Sequence, residues 1–347
     1  ILLAKKKRAE LGVPVVPVFW VAGEDHDLNE INHVYTELDG RAVKHQFRDK
    51  FVLKWMASDA SYDKKQMEAF VKSIFGKYGE TIYTKGLLEE VLNAVHQEQT
   101  FTQFFVRLMN GFFQKEGLLF IDSAFKPLRE LESAYFIRLI EESEIVAEKI
   151  YNKEAHFAEL GLGTPIQAEL DAANLFYIHE TGRVLLKRKD GLFVNDSTGI
   201  HFTKEEMLRI AKEEPWLLSN NVATRPLMQD LVFPVLAFVG GPGEIAYWAL
   251  LKDAFHHLQI KMPIIVPRMS ITLVTPQVKH ALEGKAFTVE DVMLGQVSIA
   301  KEQFAEGLKN DQFEAVLQET EALLMEQYRK IEEVTDRQGP MLQEILT

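Results

Sequence analysis

The chain has 347 residues, of which 47% are hydrophobic and 26% charged, with a formal net charge of −12 and no cysteine. These values are ordinary for a soluble globular protein with room for more than one domain. The acidic balance argues against nucleic acid or an anionic membrane as a general partner, although a local basic pocket stays open. Without cysteines, disulfides and thiolate metal sites are excluded, and a cytoplasmic location is the natural expectation.

The opening ILLAKKKRAELG has a basic cluster but lacks the ordered basic, apolar and small-residue regions of a targeting signal. It reads as the middle of an amphipathic helix over 1–11, ended by Gly12, and suggests that the chain begins inside a domain. VPVVPVFWVAG (13–23) is an apolar, β-branched run suited to a strand buried on both faces. Directly after it come Glu24, Asp25, His26, Asp27, Asn29, Glu30, Asn32 and His33. In an open α/β sheet, the carboxyl edge of a buried strand is where ligands bind.

Three readings of this cluster stand side by side. In the first, Asp25 and His26 do acid–base work, since imidazole titrates near neutrality and a carboxylate can orient it. His33 joins them if residues 28–34 begin a helix, because seven residues return nearly to the same face. In the second, His26, Asp27 and His33 hold zinc or iron, at a spacing that matches no standard helical ligand pair. In the third, Asp27 and Glu30 form a capping box at a helix start, and their neighbours are merely solvated.

Helical spacing follows over 64–79 and 100–117, then LLFIDS (118–123) reads as a second strand that delivers Asp122 to the same edge. KPLRELESAYFIRLIEESEIVAEKI continues as helix. Over 174–196, three short β-like runs separated by ETGR and KDG predict an antiparallel meander inserted in the α/β core. FTKEEMLRIAKEEP (202–215) carries a capping box at Thr203 and Glu206, with Pro215 beyond its end. Alternation then resumes: LVFPVLAFV as strand or buried helix, GGPGE as a turn, EIAYWALLKDAFHHL as helix and MPIIVPR as strand. The apolar stretch at 231–241 is far short of the ~20 residues of a membrane-spanning helix, so no such segment is expected.

Two further constellations attract notice. In FVGGPGEIAYW, Gly240, Gly241 and Gly243 precede a helix whose N-terminus suits an anion. Glu244 already brings a negative charge to that end, and a tight strand-to-helix connection explains the glycines equally well. Arg225 and Arg268 each lie beside a proline in a polar break, where a guanidinium can grip a carboxylate or make an ordinary ion pair. From Phe313 a three-four spacing runs through Leu317, Thr320, Leu324, Gln327, Ile331, Val334, Gln338, Met341 and Ile345. This predicts a coiled-coil seam or one amphipathic helix, interrupted at Gly339-Pro340.

PVFWVAGEDHDLNEINHVY, LSNNVATRPLMQD, FVGGPGEIAYWALLK and MPIIVPRMSITLV resemble the bacillithiol biosynthesis cysteine-adding enzymes, the BshC family. The resemblance extends through GLLFIDSAFKPLRELE and the coiled-coil segment, essentially the whole chain. It implies an α/β fold: a Rossmann-like parallel-sheet core related to class I synthetases, with connecting inserts and a C-terminal coiled-coil helical extension. The corresponding division is 1–165 for the first part of the core with a helical insert, and 166–213 for the small β insert plus helix. Residues 214–275 then form the second part of the core, and 276–347 the coiled-coil domain.

The implied activity is a ligase that joins L-cysteine to glucosamine-malate in the final step of bacillithiol synthesis, acting as a homodimer. Asp25, His26 and His33 are then the catalytic candidates. Asn221, Arg225, Gly240, Gly241, Gly243, Glu244, Tyr247, Trp248, Arg268 and Ser270 are the substrate-binding ones, with no residue assigned to a metal. Arg225 and Arg268 would grip the malate carboxylates, Glu244 the cysteine ammonium, and Tyr247 or Trp248 a sugar face. Family members have an additional N-terminal part of the core and continue beyond the coiled coil. The sequence displays neither the HIGH nor the KMSKS signature, so ATP or ADP binding stays open. A metal-dependent amide hydrolase and a non-catalytic coiled-coil assembly protein are the rival classes.

Overall fold

In the computed structural model, which describes residues 1–38, 41–47, 55–307 and 311–336, helix α1 (Leu2–Leu11) stops at Gly12. There φ is 66° and the glycine N–H donates to the Arg8 carbonyl, a left-handed ending that glycine adopts without a Cβ penalty. Strand β1 is only Val18–Val21, shorter than the apolar run that contains it. Pro14 and Pro17 supply no N–H to a ladder, which confines regular pairing to the residues after them. The expectation of burial on both faces is corrected: Val18 is 52% exposed and burial is reached only at Val21. Among the described residues β1 pairs with a single neighbour, so its other edge is uncovered by a strand.

After β1 come a one-turn helix, α2 (Leu28–Ile31), and an antiparallel hairpin of β2 (His33–Leu38) and β3 (Arg41–Gln46). Helices α3 (Lys64–Phe75), α4 (Thr84–Gln97) and α5 (Phe101–Phe113) follow. Their inward faces make a small core around Leu28, Phe47, Met67, Val71, Val95 and Phe101. Asp63 and Thr100 cap α3 and α5 through their side chains. Strand β4 (Leu119–Asp122) then pairs parallel with β1, bringing Asp122 opposite Val21.

The long helix expected after β4 breaks at Glu142 into α6 (Lys126–Glu141) and α7 (Ser143–Glu159). The predicted meander is present as β5 (Ala172–His179), β6 (Gly182–Lys189), β7 (Leu192–Asn195) and β8 (Ile200–Phe202). Asp190 and Gly191, both at positive φ, turn β6 into β7, the geometry a tight hairpin requires. Helix α8 (Lys204–Glu213) starts on the expected Thr203–Glu206 capping box. Strand β9 (Leu218–Asn220) returns to pair with β5, giving a five-stranded sheet of order β8-β7-β6-β5-β9. The sheet thus extends past the meander, and β9 leads straight into α9 (Thr224–Val232).

Pro234 separates α9 from β10 (Ala237–Gly240), so LVFPVLAFV is part helix and part strand. Helices α10 (Pro242–Trp248) and α11 (Lys252–His257) precede β11 (Ile264–Pro267), which lies parallel to β10. The architecture is thus α/β with parallel strand pairs β1–β4 and β10–β11 around the antiparallel sheet. The main core joins α6, α7, the sheet, α9 and α11 through Phe136, Leu175, Leu186, Met207, Leu227 and Phe255. Residues Ile1–Ser270 form one compact unit.

The second unit, Ile271–Thr347, is helical where described: α12 (Pro276–Leu282), α13 (Val289–Met293), α14 (Gln296–Gly307) and α15 (Asp311–Asp336). On α15, Leu317, Leu324 and Ile331 are exposed. The expected seam positions Gln338, Met341 and Ile345 and the Gly339-Pro340 interruption lie outside the described residues. Among the described residues, no helix is long and apolar enough to cross a membrane.

A buried charge cluster as candidate active site

The parallel register of β1 and β4 ends both strands at one edge, and the chain then turns through Ala22, Gly23, Glu24 and Asp25. Gly23 is required here, since a Cβ would overlap Ser58 Oγ and the Asp122 carboxyl group. The Gly23 carbonyl accepts from Ser58 N–H at 2.9 Å, and the Asp25 carbonyl accepts from Ala57 N–H at 2.8 Å. Ser58 Oγ donates to Asp122 Oδ2 at 2.5 Å, and Ala124 N–H donates to Asp122 Oδ1 at 2.9 Å. Burial pushes the Asp122 carboxyl above its ordinary range despite these bonds.

Glu24 is fully buried. Its Oε2 accepts from Arg129 of α6, from Ser219 Oγ of β9 at 2.8 Å and from Asn220 N–H at 3.3 Å; its Oε1 accepts from Arg225 Nε of α9 at 2.8 Å. Burial alone would raise its pKa, but the charges of Arg129, Arg225 and Arg183 outweigh it and hold the carboxyl at about 2. Arg129 also donates to Glu132 Oε2 at 2.8 Å. Glu132 goes the other way: burial, aided by the Glu24 charge, lifts it to about 7 against the pull of Arg129. Asp25 Oδ1 takes two guanidinium bonds, from Arg225 Nη2 at 2.5 Å and from Arg183 Nη1 at 3.1 Å. The Asp25 side chain is 39% exposed.

Arg183 reaches this edge from β6. Its Nε donates to Ser219 Oγ at 2.8 Å and its Nη2 to the Asn220 carbonyl at 2.5 Å, while its guanidinium lies 3.7 Å from the Phe176 ring centroid. The His26 ring meets Phe176 edge-on at 6.1 Å between centroids, and its Nε2 is 3.9 Å from Asp27 Oδ1. Three guanidinium groups and the carboxyl groups of Glu24 and Glu132, from the turn after β1, α6, β6 and α9, thus cluster with Asp25. Sequence reading placed Asp25, His26 and Arg225 here but missed Glu24 as the hub, along with Arg129, Glu132, Phe176 and Arg183. The one signal for Arg129 and Glu132 is their three-residue spacing on a helix that follows the Asp122 strand; nothing in the hairpin marks Arg183.

Several expectations are corrected. Residues 28–34 do not form one helix: α2 ends at Ile31 and His33 opens β2, so the premise that returned His33 to the face of His26 fails. Instead His33 Nδ1 bonds the Asn29 carbonyl at 2.9 Å and its ring packs on Tyr35. Asp27 stands at the N-cap of α2 but makes no side-chain capping bond, so the expected capping box is absent there. Among the described residues no three His, Asp or Glu side chains gather to hold a metal ion, which leaves the set of His26, Asp27 and His33 unassembled. Arg225 faces Glu24 and Asp25, and so is not a free grip for a ligand carboxylate. Asn221 shapes the chain into α9, with Oδ1 accepting from Ala223 and Thr224 N–H and Nδ2 donating to Asn174.

At the glycine turn, Glu244 Oε2 accepts from Gly241 N–H at 2.7 Å, so the helix's own carboxylate satisfies its start. A Cβ on Gly241 would stand 2.7 Å from Arg268 Nη2, and one on Gly240 would stand 2.8 Å from the Phe238 ring; Gly243 faces open space. Arg268 N–H donates to the Gly240 carbonyl at 2.8 Å, while its side chain and Ser270 are exposed. Tyr247 is half-buried, and its hydroxyl is pushed above its ordinary value first by burial and then by the Glu244 charge. Trp248 is corrected as a sugar platform. It is buried and stacked between Phe238 and Phe255, with centroids at 4.4 and 5.8 Å.

Comparison with known proteins places residues 1–269 in the family described as "Bacillithiol biosynthesis BshC, N-terminal Rossmann-like domain". A Lysinibacillus sphaericus protein named "Putative cysteine ligase BshC" is 43% identical over 346 residues, covering 100% of this chain and 64% of that relative. Proteins with the same name from a Geobacillus species and from Oceanobacillus iheyensis are 38% and 35% identical, covering 96% and 98% of this chain. The chain spans 62% and 63% of those two relatives' lengths. It belongs to the BshC family, and its first 269 residues are the Rossmann-like part of that family.

Proposed function

We propose that this chain carries the amide-forming site of a cysteine ligase, which joins the carboxyl group of L-cysteine to the amine of glucosamine-malate in bacillithiol synthesis. The name of the relatives and the description of the family support the reaction class. The observation that carries the site is Asp25: two guanidinium groups hold its Oδ1, and its side chain is 39% exposed at the strand edge. A partly exposed carboxylate suits an ammonium group, which both substrates possess.

Amide formation needs an activated acyl group, an amine that loses its proton as the C–N bond forms, and donors for the developing oxyanion. Asp25 binds the ammonium and His26, beside it, accepts the proton. Arg268, exposed next to Gly241, takes over the carboxylate contact from Arg225, while Tyr247 and Ser270 keep substrate-binding roles in this reading. The substrate-facing roles of Glu244, Asn221 and the glycines become backbone-shaping ones. The finer architecture belongs to this reading too: a relation to class I synthetases, the four-part domain division, a cytoplasmic location, and a homodimer whose coiled coil uses the exposed Leu317, Leu324 and Ile331.

The test is to mix the purified protein with L-cysteine and glucosamine-malate, with and without ATP, and to measure the product by mass. Product in either arm supports the reading, and the difference between arms identifies the activating agent. No product in both arms overturns it.

A further inference from the structure

We propose that Arg183 is a positioning residue, delivered by the antiparallel sheet to hold Asp25 and, through Phe176, His26 in working orientation. The inference rests on the amide-forming role given above to Asp25 and His26. Arg183 belongs to neither the β1–β4 nor the β10–β11 pair, and it lies 158 residues from Asp25 in sequence. A buried guanidinium loses its hydration and needs several bonds in return. Arg183 has them on three sides: Ser219 Oγ, the Asn220 carbonyl and Asp25 Oδ1.

The fork geometry argues for positioning over a simple ion pair. Two of the bonds go to β9, which runs beside β5 in the same sheet, so the guanidinium plane is fixed by the sheet itself. The remaining bond goes outside the sheet's own strands, to the turn after β1 and the one partly exposed carboxylate of the cluster. Arg225 already neutralises Asp25 at 2.5 Å. A second guanidinium on the same oxygen adds direction: it restricts rotation of the carboxyl group by holding Oδ1 from two sides. Phe176 is held by the 3.7 Å stack of Arg183 and meets His26 at its edge. A single side chain thereby sets both proposed reacting groups. Lysine could supply the charge but neither the planar fork nor the stack.

A double-substitution cycle in the full chain tests this, with amide formation from L-cysteine and glucosamine-malate as the readout. Arg183→Lys is expected to lower kcat/KM about 10- to 100-fold, the scale of a small misplacement at a reacting centre. In an Asp25→Asn background the same change is expected to lose a large part of its effect, because only the route through Phe176 and His26 remains. Phe176→Leu, which leaves the charge cluster intact, provides a second arm if Arg183→Lys lowers the yield of folded protein. It is expected to reduce kcat with little change in KM, and to lose its effect in a His26→Ala background. Losses that add in full in both backgrounds mean a merely structural role and overturn the inference. Absence of product from the unsubstituted protein instead overturns the reading on which it rests.

Discussion

Glu24 and Arg225, 201 residues apart in the chain, meet through a 2.8 Å hydrogen bond from Nε to Oε1 inside the fold. That contact ties the turn after β1 to the start of α9, and Arg129 and Ser219 draw α6 and β9 to the same carboxylate. Removing the charge by Glu24→Gln would leave Arg129, Arg183 and Arg225 facing only Asp25 and Glu132. Breaking one side of a buried ionic network costs about 3–5 kcal/mol. We therefore expect Glu24→Gln to lose most of its folding stability in urea titration, while Asp25→Asn, at the exposed rim, loses much less.

Glu24 and Glu132 share Arg129 yet have opposite linkage to pH. The folded pKa of Glu24, about 2, lies below its ordinary 4.5. Its contribution is present above 4.5 and is lost as pH falls toward 2. Glu132 is raised from 4.5 to about 7, so its contribution is complete below 4.5 and is lost as pH rises through 7. Glu132 Oε1 has no hydrogen-bond partner among the described residues, which adds to the cost of ionising it. Glu132→Gln is expected to flatten the fall in melting temperature between pH 4.5 and 7 while leaving the acid limb unchanged. A fall of the same steepness in that variant would assign it to other groups.

The sequence discloses elements better than their tertiary partners. The capping box at Thr203, the meander turns and the Asp122 strand are local, and each appears where spacing predicts it. Strand β1 was legible as apolar, but its shortness follows from two prolines and a single strand neighbour. Arg225 was visible as an arginine beside a proline; its pairing with Glu24 depends on a fold that closes 201 residues. Arg183 carries no local mark, because its role arises only once β9 pairs with β5. His33 misled because the seven-residue spacing assumes a helix that ends at Ile31.

Glu154 locks the approach to the antiparallel sheet. Its buried carboxylate accepts from the N–H groups of Ile166 at 2.8 Å and Gln167 at 3.1 Å, and from that of Ala168 as well. Gln167 stands at a φ of 51°, a left-handed conformation in a residue other than glycine. Losing a charged acceptor shared by three partly buried donors costs toward the low end of about 1–3 kcal/mol for each group left unsatisfied, because water can reach some of them. Glu154→Ala is expected to speed amide hydrogen exchange across 160–171 and to expose that segment to protease. Exchange unchanged from the parent would show that the loop is held by its other contacts.

Trp248 and Tyr247 are adjacent on α10 yet separate cleanly into core and rim. Trp248 is stacked between two phenylalanines, so Trp248→Leu removes a large buried ring and leaves a cavity, at a cost of about 3 kcal/mol. Whatever enzyme remains folded should bind glucosamine-malate with an unchanged KM, since the indole has no exposed face to offer. Tyr247 is half-buried beside Glu244, and its hydroxyl responds electrostatically to both Arg225 and Asp25. Tyr247→Phe is therefore expected to leave the melting temperature within a degree or two, on the scale of about 0.5 kcal/mol or less for a surface change, while raising KM. The comparison rests on two assays of the same pair of variants, thermal unfolding and initial rates against glucosamine-malate concentration. A rise in KM for Trp248→Leu with none for Tyr247→Phe would reverse the assignment and return the indole to the substrate.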